Sequence, residues 1–391
     1  MNRTTLGLAC ACLCLSSTLA LGQAARPAAP PSVTVYGLVD EGVEIIDGRN
    51  DGAGGTTTSV RVGSGTAASR FGIRGNTGDM MPTLKGLFAL EAGISADLGT
   101  LGQGGRIFGR QAFVGLQGGW GTVSLGRQLT MRFHGMQDAD IFGAGSHGLG
   151  TLDSGVPNAR ADNAIAYTGT WGAMTGGFNY SVGRDASPSA GSTSAAATNC
   201  AGEAVDKAQC REWSAMLRYA PGRWGMATAY ERQYGGTAAV AATSSTPAVP
   251  ATFGGLTSPS KTDSRWTLNA FGRIGGSQVG AGLLARDNQG SAATPRSRLY
   301  WLAVKTPVPD TAFTVDAMVA TLRFDDSPNG ADLLNLRGSW LLMKDLQAYV
   351  TLAHIRNKGT SALSASSGTP SAAPPAGRAQ SSVITGVKYM F

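Results

Sequence analysis

Apolar and polar residues alternate with period two along nearly the whole chain, the pattern of half-buried strands and not of helices. In residues 33–43 (VTVYGLVDEGV), Val33, Val35 and Val39 share one face while Thr34, Tyr36 and Asp40 share the other. Residues 59–75 end in SRFGIRG, with Phe71 and Ile73 opposite Arg70 and Arg74. LKGLFALE (84–91) sets Leu84, Phe88 and Leu90 against Lys85 and Glu91. Further strands are predicted at about 106–117, 121–129, 160–169, 173–183, 211–219, 223–232 and 263–273. The series continues at about 277–287, 298–306, 311–323, 332–342, 345–356 and 381–391, about sixteen in all.

The connections alternate in length. Those at 118–120, 170–172, 220–222, 274–276, 306–310 and 343–344 are short, whereas 44–58, 130–159, 184–210, 233–262 and 357–380 are long. A sheet with one apolar face must cover it with a second sheet or with lipid. Short turns at one end and long loops at the other are the mark of a membrane barrel, whose closure leaves no unpaired edge in lipid. The closing segment SVITGVKYMF points the same way. Val383, Val387, Tyr389 and Phe391 share a face with Thr385, and Lys388 lies opposite, so the two rings suit an aromatic girdle. Trp120, Tyr167, Trp171, Tyr180, Tyr219, Trp224 and Trp301 are read as further girdle anchors. The predicted fold class is therefore all-β: a transmembrane antiparallel β-barrel.

Residues 1–24 read as a signal peptide: Arg3 near the start, an apolar stretch from Leu6 to Leu21, then small residues for cleavage. A retained membrane anchor is the alternative. The barrel domain is then 25–391, and Cys10, Cys12 and Cys14 leave with the peptide. Cys200 and Cys210 remain, and in an exported chain they are read as a local disulfide against the alternative of two free thiols. After Leu21 no run approaches the roughly 18 apolar residues of a spanning helix. The net charge of +7 is spread among acids and forms no basic patch, so nucleic acid is not an expected partner.

Seven segments together carry a resemblance. They are VTVYGLVDEGV at 33–43, SRFGIRG at 69–75, LKGLFALE at 84–91, FGRQAFVGL at 108–116, GTVSLGRQ at 121–128, RADNAIAY at 160–167 and GVKYMF at 386–391. In this order they resemble the general diffusion porins of β-proteobacterial outer membranes, a Gram-negative family. The resemblance implies a homotrimer of sixteen-stranded barrels in the cell outer membrane, with lipid and lipopolysaccharide around them. It further implies a water-filled channel in each barrel, narrowed by the third long loop folded into the lumen. The turn at 76–82 (NTGDMMP) departs from the family's acidic pattern, and the third loop matches no archetype.

The residues that shape such a channel are charges. Alternation places Arg70 and Arg74 on the polar face of the second strand, Arg110 on that of the fourth, and Arg160 with Asp162 on that of the sixth. Arg127 shares parity with Val123 and Leu125, which aims it at lipid, where an arginine costs about 2–4 kcal/mol at mid-depth. A bulge at Gly126 is expected to turn it inward, as the resembling Gly-Arg position implies. Asp138, Asp140 and Asp153 of the loop are expected to oppose these arginines across the pore constriction. The expected function is passive diffusion of small hydrophilic solutes and ions with weak anion preference. A channel tuned to phosphate or carboxylates is the alternative. His134, His147 and His354 match no catalytic or ligand spacing. No cofactor, metal or catalytic residue is assigned; a barrel-borne enzyme and a surface adhesin are the remaining readings.

Overall fold

The computed structural model describes residues 30–79, 83–157, 159–183, 208–236, 256–367 and 372–391. The predicted signal peptide, Cys200 and the stretches 186–198 and 237–255 lie outside them. Among the described residues, sixteen barrel strands follow in chain order. They are β1 (Ser32–Asn50), β2 in two parts (Thr56–Gly63 and Arg70–Asn76), β3 (Lys85–Ser95), β4 (Gln111–Gly118) and β5 (Gly121–Leu129). Then come β6 (Arg160–Trp171), β7 (Met174–Ser181), β8 (Glu212–Tyr219), β9 (Trp224–Tyr234), β10 (Thr262–Ile274) and β11 (Ser277–Asn288). The last five are β12 (Arg296–Pro307), β13 (Phe313–Phe324), β14 (Gly330–Met343), β15 (Leu346–Lys358) and β16 (Ala379–Met390). Each strand pairs antiparallel with the next, and β16 returns to β1 from Leu38↔Met390 to Asp47↔Ser381, so the sheet closes.

The outer face is apolar, as the alternation requires: Val35, Val39, Val43, Leu125, Ile165, Leu302, Val319 and Leu352 are all exposed there. Trp120, Trp171, Trp224, Tyr389 and Phe391 stand exposed near the short-turn end. Trp301 does not join them. Its neighbour Tyr300 points out, while Trp301 is buried inside with its indole nitrogen donating to the Ala139 carbonyl at 3.2 Å.

Boundaries change in the first two strands. The first long connection, expected at 44–58, shrinks to 51–55 because β1 continues to Asn50 against β2. The second strand, expected unbroken over 59–75, is interrupted at 64–69. The Asp40 carboxylate gathers that interruption, accepting from the amides of Gly65, Thr66 and Ala67 at 3.2, 3.0 and 2.8 Å. Thr66 Oγ1 and the Tyr349 hydroxyl, each at 2.5 Å, complete a buried charge held by five donors.

Inside, the barrel is not uniformly wet. Met136, Phe142, Leu149, Leu152 and Val156 of the third loop pack on Leu284, Leu299, Trp301, Met318, Leu322, Leu333 and Ile355 of β11–β15. That stretch of β11–β15 is apolar inside as well as out, while nearer the short turns Lys305, Asp316, Arg337 and Ser339 keep the same strands polar within. Just before β8, Cys210 is disulfide-bonded.

Candidate functional site

The third long loop, 130–159, starts with the short helix α2 (Met131–Met136); α1 (Gly102–Gly105) belongs to the loop before it. Its course is fixed by contacts with the inner faces of strands around the ring. At its start Thr130 Oγ1 and Arg132 Nε both donate to Glu231 on β9, at 2.6 and 3.1 Å. The Met131 amide donates to Ser214 on β8 at 2.9 Å. Further on, Asp138 meets Arg218 of β8 at 2.6 Å. At the tip the Ser146 amide donates to the Gly65 carbonyl at 2.8 Å, docking the loop onto the interruption in β2. His147 Nε2 lies 2.9 Å from Glu44 of β1 and 3.0 Å from Ser382 of β16, and its carbonyl accepts from Asn335 of β14. Asp153 returns the chain to β10 through a two-pronged pair with Arg265, at 2.9 and 3.1 Å. The loop therefore lies inside the barrel.

The arginines form a cluster on the wall of β2–β6, and their acids come from that wall. Glu91 of β3 takes Arg110 Nε at 2.5 Å and the Tyr36 hydroxyl at 3.0 Å, with Arg70 at 3.9 Å. Asp162 of β6 pairs with Arg127, and with Arg106 at 3.9 Å. Arg160 donates to the carbonyls of Arg110 and Pro157 at 3.1 and 3.4 Å. Arg74 lies further toward the short turns, exposed, with its guanidinium 4.8 Å from the Tyr36 ring centroid. Four guanidiniums, Arg70, Arg106, Arg110 and Arg127, thus meet two carboxylates, and Arg160 adds a fifth positive charge held by carbonyls. Arg70 keeps a third of its side chain exposed, whereas Arg127 and Arg160 are buried behind it.

The expected bulge is present. The β5–β6 register slips between Gly126 and Gln128, Gly126 has φ +124°, and Arg127 turns inward, its Nε donating to the Gly109 carbonyl at 2.7 Å. Arg110 faces inward for a different reason from the one expected. It shares parity with Val114 and Leu116, which point outward, but the strand begins only at Gln111. At this edge its amide still donates to the Glu91 carbonyl at 3.0 Å while its side chain bends inward onto the Glu91 carboxylate.

The loop acids do not oppose this cluster. Asp153 and Asp138 are engaged by Arg265 and Arg218 on the far wall. Burial raises the Asp153 carboxyl, but the charges of Arg265 and Arg286 outweigh it and hold the group well below the usual range. Asp140 accepts from the Gly143 amide at 3.0 Å, and burial pushes its carboxyl up to about 6. The partners that sequence reasoning missed, Glu91, Arg218, Arg265 and Arg286, all occupy inward positions on predicted strands. Parity shows that they face the lumen; it does not show which of them the loop reaches.

The three histidines separate. His134 stacks edge-on against Phe133, and burial lowers its pKa; His354 is exposed on the outside against Ser381. At His147 a serine and a carboxylate meet one ring nitrogen while Nδ1 is buried, whereas a catalytic relay would orient the ring through the other nitrogen. The arrangement suits a latch for the loop. Beneath the loop tip, Lys305, Lys388 and Arg337 line a polar cavity of about 230 Å³ with Thr314, Ser339 and Gln347. Arg337 is paired to Asp316; neither lysine has an ion pair among the described residues.

A family profile described as Gram-negative porin matches residues 9–360. The chain is 32% identical over 232 residues to an outer membrane porin protein of Bordetella pertussis, covering 56% of this chain and 58% of that protein. It is 35% identical over 164 residues to outer membrane porin protein 32 of Delftia acidovorans, covering 39% and 44%. The chain's matches thus span about half the length of these curated relatives. Among solved structures, the anion-selective porin from Comamonas acidovorans superposes with TM-score 0.69 at 23% identity, over 92% of this chain and all of that one. A trimer form of OmpT from Vibrio cholerae superposes with TM-score 0.62 at 14% identity, over 93% and 100%.

Proposed function

The chain belongs to the Gram-negative porin family, and from that premise we propose that it is an outer-membrane diffusion channel for small hydrophilic solutes and ions, weakly selective for anions. One observation carries the selectivity: on the wall opposite the loop's ion pairs, four guanidiniums share two carboxylates and a fifth, Arg160, is held only by backbone carbonyls. A lining with surplus positive charge concentrates counter-anions, an effect that screening over about 8 Å at physiological salt blunts without removing. Arg70 and Arg110 are assigned to the constriction lining, with Arg127 and Arg160 supplying charge from behind. Arg74 belongs to the wider mouth. Asp138, Asp140 and Asp153 shape the constriction by fixing the loop. The anion selectivity of the Comamonas porin supports the reading, and the OmpT trimer form supports a homotrimer as the assembly.

The test is the zero-current potential across a planar bilayer under a salt gradient. Replacing Arg70 and Arg110 together with glutamine should move it toward cations. An unmoved potential would remove these residues from the constriction while leaving the fold intact. The cavity with two unpaired lysines favours a second reading, tuning to a small anion. On that reading, phosphate or succinate should reduce chloride conductance in the parent channel and fail to do so in Lys305→Gln/Lys388→Gln.

A further inference from the structure

The tip of the third loop ends against the wall that carries Arg70. The Ser146 amide donates to the Gly65 carbonyl at 2.8 Å and its hydroxyl to the Ser64 carbonyl at 2.6 Å. Gly145 comes so near that a Cβ would lie 2.6 Å from the Thr66 carbonyl oxygen. Ser64, Gly65 and Thr66 belong to the interruption in β2 that leads directly into Arg70. The seating of the tip therefore fixes how far the loop stands from that arginine.

Beside these backbone contacts sits a side chain of the type that changes charge between pH 5 and 8. His147 is 2% exposed, its Nε2 2.9 Å from Glu44 Oε1 of β1 and 3.0 Å from Ser382 Oγ of β16. Ser382 donates its own proton to Glu44 Oε1 at 2.5 Å, and Arg61 Nε of β2 donates to Oε2 at 2.5 Å. Arg61 also reaches the Ser146 hydroxyl at 3.5 Å. From β14 the Asn335 amide donates to the His147 carbonyl, and from the loop before β16 the Ser367 amide donates to that of Ser146. Among the described residues the charged partners at the tip are thus Glu44 and Arg61.

Two acceptors at Nε2 fix the ring's proton there, since Ser382 has turned its own toward Glu44. Nδ1 is then bare, and it is buried with no hydrogen-bond partner among the described residues. A second proton would sit on Nδ1 with no acceptor facing it, and an unmet buried donor is costly. It would also add positive charge where Arg61 already balances Glu44. Closer attraction to Glu44 leaves the Nδ1 proton unmet unless the ring swings out or water enters.

We propose that His147 is a positioning residue that ties the width of the channel to proton concentration: the neutral ring seats the loop tip, and the imidazolium unseats it. The effect on width rests on the channel reading above; the latch itself does not. Two further groups of the loop titrate nearby in pH, His134, lowered by burial, and Asp140, pushed up to about 6 by burial. Asp140 works in the opposite sense, because acid gives it the neutral form its enclosure favours.

Hydrogen exchange of the full chain in detergent, read by mass spectrometry over residues 143–149 at pH 7.5 and 5.0, tests the latch. With intrinsic rates corrected, the parent's tip should exchange about tenfold faster or more at pH 5.0, the loss expected for one charge-assisted contact. In His147→Gln, whose amide does not titrate, the difference between the two pH values should vanish; in His134→Gln and Asp140→Asn it should persist. A parent tip equally protected at both, or better protected at pH 5.0, would overturn the proposal. So would an acid response that survives in His147→Gln or is lost in either control. Bilayer recordings at the same pH values test the consequence: the parent should flicker more at pH 5.0 and His147→Gln should not. Tip exchange that responds while the open channel does not would overturn the tie to width. A parent without conductance would indict the channel reading and leave the exchange result standing.

Discussion

Single residues in this barrel act through position more than through type. Asp140 accepts one amide within the loop and is otherwise enclosed, so its neutral form is favoured, with a pKa of about 6. A carboxyl raised in the folded state contributes stability that is full below the unfolded value near 3.8 and is lost as pH rises through about 6. Asp140→Asn should therefore match the parent's thermal midpoint at pH 3.5 and exceed it at pH 7.5; parallel curves at both would contradict this. Gly126 is a second such position. Its positive φ is hostile to side chains, and a Cβ there would lie 2.3 Å from the Ala112 carbonyl oxygen. Gly126→Val should undo the bulge or block assembly, seen as loss of the heat-modifiable folded band on gels. Much of this was legible: the wrong parity of Arg127 beside a glycine announced the bulge. Arg110 defeats the alternation rule because the rule extends one residue beyond the strand's true start at Gln111.

At the scale of elements, the third loop is held by two different chemistries. One is the apolar core against β11–β15; the other is a set of buried ion pairs, Arg132–Glu231 and Asp153–Arg265, nearly closed to solvent. Removing one partner of a buried pair costs about 3–5 kcal/mol because the other charge is stranded. Asp153→Asn should thus release the loop's return arm, raising open-channel noise without abolishing conductance steps. A channel as quiet as the parent would show that the apolar core alone holds the loop. The loop's existence was plain from its length and lack of period. Its attachments were not, since they join residues 80 or more apart in the chain, from Asp138–Arg218 to His147–Ser382 at 235. One signal was available. LYWLAV on β12 is apolar on both faces, which marks a wall buried inside as well as out.

For the whole molecule, alternation and connection length pointed to closure, the outward face and about sixteen strands, with fourteen or eighteen fitting the pattern nearly as well, because a barrel in lipid leaves each residue only two environments. The asymmetry of the interior was not accessible that way. It follows from packing the loop on one wall, which leaves the arginine wall to face the passage. Passage of ions along that wall is the centre of the account. Purified protein in a planar bilayer under a tenfold salt gradient should give ohmic steps and a zero-current potential of the sign set by anions. A cation-directed potential, or no steps at all, would contradict it.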